Sequence, residues 1–193
     1  MTTLKELVLA NRSYRGYDES RRITREELLE MVDCARLTAS SVNHQPLKFC
    51  LVCEKEPVRK IQSYTQWAKG LRNLTLPHPG KCPTAFIVIC LDVRIDPNAA
   101  RYQRDVGVAA QTILLKSTEM GLGGCMIGSY NAAGVKEALA LPEHLTPQLV
   151  IAIGKPAETV VLTEPGPDGS VAYYRDENDI HYVPKRALAD IVL

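Results

Sequence analysis

Leu28, Met31, Val32 and Ala35 fall at the three-and-four spacing of one helical face, and Thr24 followed by Glu27 supplies the start of that helix. In such a capping box each side chain satisfies a backbone N–H at the helix entrance. Leu4, Leu7, Val8 and Leu9 predict a shorter helix ahead of it, ending before the polar stretch from Asn11 to Asp18. The rhythm then changes. Leu47 to Cys53 is an apolar run after a polar loop, and Thr84 to Val93 is β-branched without turn residues, so both predict strands. Between them, a helical piece around Val58 to Leu71 gives way to Leu76-Pro77-His78-Pro79-Gly80, which no helix continues through.

Asp96-Pro97 predicts a helix start, with Asp as N-cap and Pro in the first turn, for a helix running to Met120. A left-handed C-cap at Gly121 ends it. Its second half (Val106, Val108, Ala109, Ala110, Ile113, Leu114, Leu115) is apolar nearly all round, the mark of a buried helix. A short helix to about Leu141 and a strand from Gln148 to Ile153 follow, then an irregular tail from about Thr163 to Val183 and a last short helix. Helices outnumber strands without alternating regularly with them, so the pattern is α+β.

Composition narrows the class. The 193 residues are 46% hydrophobic and 23% charged, with a net charge of +1, which suits one globular domain spanning 1–193 or two small ones. A balanced total offers no global field for nucleic acid or an anionic membrane, so any anion recognition is local. The longest apolar run, Ala85 to Leu91, stops at Asp92, far short of a spanning helix. Met1-Thr-Thr-Leu-Lys-Glu lacks a signal-peptide pattern, so the expectation is a cytoplasmic protein with six reduced cysteines.

Candidate chemistry is sparse. Cys50-Leu-Val-Cys53 matches C-x-x-C, but residues three apart on a strand face opposite ways and cannot share a metal. The other cysteines and the four histidines show no metal-ligand spacing, so no metal site is expected. No triad or carboxylate pair is present either, and no side chain is singled out as catalytic. Gly121-x-Gly123-Gly124 closes a helix instead of opening one, which leaves two readings: a cap and turn, or a backbone that lets a ligand approach. Arg12-Ser13-x-Arg15 offers two guanidinium forks and a hydroxyl to an anion, or is an exposed basic turn. The loop Ser40-Ser41-Val42-Asn43-His44-Gln45-Pro46 suits polyols and heterocycle edges, or is a plain connection. Lys185-Arg186 is a third small basic site.

Taken in chain order, Arg12-Ser13-x-Arg15, Ser40-Ser41-x-Asn43-x-Gln45-Pro46, Gly121-Leu-Gly-Gly-Cys-Met-Ile-Gly128 and Lys185-Arg186 resemble the nitroreductase family of FMN-dependent oxidoreductases, over nearly the whole chain. The resemblance implies an α/β/α sandwich around a mixed, mainly antiparallel sheet, in an intertwined homodimer with FMN at the interface. Residues 163–193 would form a C-terminal extension reaching the partner subunit. Arg12 and Ser13 would hold the phosphate with Lys185 and Arg186, and Arg15 would lie against the flavin's N1–C2 carbonyl edge. Ser40, Ser41, Asn43 and Gln45 would bind the ribityl chain and ring edge from the opposite subunit. Cys125, Met126, Ile127 and Gly128 would pass beneath the ring. The sequence departs from the family where a first arginine often stands, at Asn11, and where a Trp often follows Gln-Pro, at Leu47. The implied activity is ping-pong hydride transfer from NADH or NADPH to nitroaromatics, quinones or other conjugated electrophiles. The segment from Tyr64 to Pro79, with Trp67 and His78, is a candidate cover for the pocket, or else an ordinary surface helix and loop. The alternative is a flavin carrier or sensor without rapid NAD(P)H turnover.

Overall fold

The computed structural model describes residues 2–71 and 74–193. At its centre lies β3 (Ala85–Asp92), buried along its whole length. It pairs antiparallel with β2 (Leu47–Val52) on one side and with β5 (Leu145–Pro156) on the other. The far edge of β5 carries β4 (Gly123–Ile127), also antiparallel, and the two-residue β1 (Tyr17–Asp18). Alternation along the strands divides the core in two. Ala85, Ile87, Ile89, Ile151 and Ile153 face α2 (Arg25–Arg36) and α4 (Gln103–Glu119). Phe86, Val88, Cys90, Val150 and Ala152 face α3 (Lys55–Ser63) and α5 (Ala132–Ala138). Burying both faces of β3 in this way explains its unbroken apolar run. The result is an α+β sandwich with a mainly antiparallel sheet.

The predicted capping box opens α2: Thr24 accepts from Glu27 N, and Glu27 accepts from Thr24 N. Leu28, Met31 and Ala35 are buried on its inner face. The first helix, α1 (Leu4–Ala10), has a capping box of its own from Thr3 and Glu6. Cys50, on β2, packs into one core and Cys53, just past the end of β2, into the other.

Four segments differ from the sequence reading. The helix expected from Asp96-Pro97 begins later, after the 3-10 turn Ala99–Tyr102. Asp96 instead accepts from Asn98 N (2.8 Å), the Arg101 guanidinium (2.9 Å) and Tyr102 Oη (2.8 Å), so its oxygens are used in a turn. The helix around Val58 is α3, which ends at Ser63 rather than Leu71. Beyond it Tyr64–Gln66 pairs with Ser129–Asn131, and that cross-chain pairing outcompetes helix propagation. The glycine-rich segment after Gly121 is a strand, β4, and the tail taken as irregular also holds strands. They are β7 (Tyr174–Arg175) and β8 (His181–Pro184), which join β6 (Val160–Thr163), just ahead of the tail, in a small sheet where β8 pairs parallel with β6 and antiparallel with β7.

α4 ends as expected, with Gly121 at φ +71°. Its burial is one-sided. Val106, Ala109, Ala110, Ile113 and Leu114 are buried, whereas Val108 is 43% exposed within the chain.

Candidate functional site

After α1, residues 11–16 leave the helix and lie along β4. Ser13 pairs parallel with Gly124, and Tyr14 N donates to Gly124 O at 3.1 Å. The sequence permits this because Gly124 has no side chain: a Cβ there would stand 2.3 Å from the Ala152 carbonyl oxygen. Asn11 Nδ2 donates to Thr118 Oγ1 on α4 at 3.2 Å and anchors the start of the segment. From the other end of the chain, β6 and β8 bring Val160, His181, Val183 and Lys185 alongside Arg12, Ser13 and Arg15. Together with Asn11 and Tyr173 they enclose a cleft of about 340 Å³.

The floor of this region is held by a buried ion pair. Arg175 and Glu158 pair through side chains only 4% and 3% exposed, and Glu158 also accepts the Arg15 backbone N–H. Arg175 reaches Asp179 Oδ1 at 2.7 Å as well. With the Glu158 carboxylate so engaged, the Arg15 side chain is left to weaker partners. It meets Ser13 O at 3.3 Å and His181 Nδ1 at 3.4 Å, and its Cζ lies 5.3 Å from the centre of the Tyr173 ring, a cation–π distance. Burial, with the Arg15 and Arg175 cations beside it, pushes the His181 pKa down to about 4, so its imidazole is neutral. Arg12 Nε and His181 Nε2 are both buried without a hydrogen-bond partner among the described residues. Cys125, buried on β4 next in line to Gly124, is kept a thiol because burial raises its pKa, although Arg15 pulls the other way.

The polar loop before β2 lies elsewhere in the chain and is built differently. Asp105, 6% exposed on α4, accepts from Ser40 Oγ (2.7 Å), Ser41 N (2.8 Å) and Ser41 Oγ (2.7 Å). Burial pushes the Asp105 carboxyl up, but these three hydrogen bonds outweigh it and hold the group below its ordinary range. The clamp secures a loop in which Val42, Asn43 and Gln45 all have left-handed backbone (φ 49°, 57° and 51°). For a β-branched residue such as Val42 that conformation is a true outlier, costing of order 1–3 kcal/mol. Gln45 Nε2 donates to Asn43 Oδ1 at 3.0 Å, closing the loop on itself.

Within one chain, then, Arg12, Ser13, Arg15 and Lys185 share one cleft, with Cys125 behind them. Ser40 and Gln45 border a second hollow of about 220 Å³ with Arg36, Lys48 and Asp105. Ser41 and Asn43 sit in the same loop. Met126 and Ile127 continue β4 toward opposite cores, and Gly128 is exposed at its end. Arg186 is exposed and does not line the cleft.

Part of the expected covering segment adjoins the cleft. A Cβ at Gly70 would lie 2.8 Å from Tyr173 Oη, and His78 Nε2 is 3.2 Å from Asp179 Oδ2. Arg72 and Asn73, inside the same expected segment, lie outside the described residues. The sequence reading missed Tyr173, His181, Glu158, Arg175 and Asp105. None belongs to a motif, and each gains meaning only from a partner far away in the chain. Among the described residues no cluster of His, Cys, Asp or Glu could hold a metal ion, and no helix is long and apolar enough to cross a membrane.

Comparison with known proteins agrees with this architecture. The pattern of the family described as "Nitroreductase family" matches residues 8–155. A protein of Methanothermobacter thermautotrophicus, named as a candidate NADH dehydrogenase/NAD(P)H nitroreductase, is 28% identical over 157 residues, 79% of this chain and 77% of that protein. A solved nitroreductase candidate from Desulfovibrio desulfuricans, in complex with FMN, superposes with a TM-score of 0.73 over 100% of this chain and 96% of that one, at 22% identity. The NADPH:FMN oxidoreductase of Vibrio harveyi, complexed with NAD+, gives a TM-score of 0.62 at 26% identity, over 80% of this chain and 69% of that one.

Proposed function

The chain belongs to the nitroreductase family of oxidoreductases, and from that premise we propose that it is an FMN-dependent NAD(P)H oxidoreductase acting on nitroaromatics, quinones or related conjugated electrophiles. The observation that carries the cofactor assignment is the cleft itself. Three cations, Arg12, Arg15 and Lys185, converge there with Asn11 and Ser13, while Arg12 Nε and His181 Nε2 stay buried and unpartnered among the described residues. Buried donors left without acceptors cost about 1–3 kcal/mol each, and an anionic, acceptor-rich ligand removes that cost. A phosphomonoester joined to a heterocycle that is mostly acceptors at one edge has this chemistry, so FMN fits the donors present.

In this reading Arg12, Ser13 and Lys185 hold the phosphate through charge-assisted hydrogen bonds. Arg15, fixed by its backbone bond to Glu158 and by Tyr173, keeps a positive charge at the ring edge, where it favours the electron-rich form. FMN, when bound, supplies the ping-pong hydride transfer from NADH or NADPH to the substrate. The segment around Trp67, Gly70 and His78 limits which substrates reach the ring and excludes water from it.

We further propose that the working unit is a homodimer. Leu4 (68% exposed) and Leu9 on α1, Val108 on α4, and Ile191 and Val192 at the C-terminus are apolar residues left open in one chain. Apolar residues exposed side by side mark protein–protein contact, and α1 and α4 pack against each other. The Ser40–Gln45 loop, apart from its own chain's cleft, then serves the site of the second copy, and the end of the 163–193 extension packs across the interface.

Rapid mixing of the flavin-loaded protein with NADH or NADPH tests the enzymatic reading. Prompt bleaching of the flavin band, reversed by a quinone or nitroaromatic, is the expected result. A band that persists through many seconds with both nucleotides assigns the protein to carriage or sensing instead.

A further inference from the structure

His181 stands out among the groups to which the mechanism above gives no task. It is 1% exposed, borders the cationic cleft, and belongs to none of the motifs that point to the cofactor. On one side β6 sets Val160 opposite it, with no titratable group, and the other neighbours present charged or aromatic groups. The N-terminal segment presents Arg15, whose Nη1 lies 3.4 Å from His181 Nδ1. The paired strand β7 presents Arg175, itself tied to Glu158. The turn before β8 presents Asp179, held by Arg175 and His78. Tyr173 stands edge-on to the imidazole with ring centres 5.4 Å apart.

A guanidinium can only donate, so the bond from Arg15 makes Nδ1 the acceptor nitrogen. The proton of the neutral ring therefore sits on Nε2. That nitrogen is the one buried without a partner among the described residues. A folded chain seldom leaves such a donor unused unless a ligand completes it.

We propose that His181 is a ligand-binding residue of the cleft, its tautomer set by Arg15, donating Nε2–H to a carbonyl oxygen of the flavin ring. The assignment rests on the FMN reading above. A neutral donor suits a carbonyl, because it gives direction without adding charge, while Arg12 and Lys185 already supply the charge a phosphate needs. The same placement makes Tyr173 the wall that orients the imidazole from its edge.

The test has two parts. In the ligand-free protein with 15N-labelled histidine, long-range 1H–15N correlation should show His181 as the neutral Nε2–H tautomer from about pH 5 to 8. An Nδ1–H tautomer, or a ring that titrates in that range, overturns the proposal. Binding is then measured by fluorescence with both FMN and riboflavin. His181→Phe should weaken both about tenfold, and His181→Gln, which keeps a donor, should recover most of the loss. Unchanged affinity in His181→Phe, or a loss confined to FMN, overturns the ring assignment. If His181→Phe does not fold, the wild-type Nε2–H resonance decides: it should shift on adding riboflavin, and an unmoved resonance overturns the proposal. Failure of the cofactor reading looks different, since the wild-type protein then binds neither flavin while the tautomer result still stands.

Discussion

The cleft beside β4 and the loop before β2 are both rich in polar groups, yet they spend them in opposite ways. In the loop, both hydroxyls and one backbone N–H close on Asp105, and Gln45 turns back to Asn43. In the cleft, Arg12 Nε and His181 Nε2 are buried with nothing to bond among the described residues, and Lys185 forms no ion pair within the described chain. The loop uses its donors to hold an unusual backbone, whereas the cleft leaves Arg12 Nε and His181 Nε2 open even though Arg12 and Arg15 also bond nearby carbonyls. The same residue types in a sequence can therefore be closed into a clamp in one place and left without partners in another. Whether a buried acceptor already waits nearby decides which.

The largest expected effect breaks the cleft. Arg12→Ala combined with Lys185→Ala should weaken FMN binding by 100-fold or more, roughly two charge-assisted contacts, while riboflavin affinity changes little. Fluorescence titration with the two ligands checks it. Equal losses for both would place the two cations at the ring and not at the phosphate.

Acid separates the two regions. His181 has a folded-state pKa lowered to about 4, so its contribution to stability is present above the unfolded value near 6.5 and is lost as pH falls toward 4. The loss is roughly 3 kcal/mol at most for the ligand-free chain. Asp105 is also held below its ordinary value, so its contribution survives that window and disappears only as pH falls below about 3.9. Urea midpoints of the wild type and His181→Phe between pH 7 and 4 check the first part: the variant should lose the slope that the wild type shows.

Asp105→Asn comes next. It places an amide where two hydroxyls and an N–H all donate, and should cost about 1–3 kcal/mol by urea unfolding. Local protection of the Ser41–Gln45 amides should fall with it, as hydrogen exchange would show. Unchanged protection would mean that the left-handed backbone holds without the clamp. The smallest effect concerns the cover. His78→Ala removes a partly exposed contact to Asp179 and should change stability by less than about 1 kcal/mol.

Much of the sandwich could be read from the chain because its signals are local. The Thr24–Glu27 box, the run through β3 and the left-handed Gly121 each depend on a few neighbouring residues. The cationic half of the cleft was also legible, since Arg12, Ser13, Arg15 and Lys185 are recognisable by type. What escaped was long-range. β4 reads as a turn because Gly123 and Gly124 have no side chains to signal a strand, and they lack them because Tyr14 and the Ala152 carbonyl occupy that space. Glu158, Arg175 and His181 matter only because β6, β7 and β8 bring them under Arg15. Asp105 looks like any helical acid until the Ser40–Gln45 loop closes on it.

Whether the cleft takes up a flavin nucleotide is read directly from one titration. FMN is added to the flavin-free wild-type protein while flavin fluorescence is followed. The change should break sharply at one FMN per chain. Emission that tracks free FMN throughout the titration, with no flavin retained after gel filtration, would contradict it.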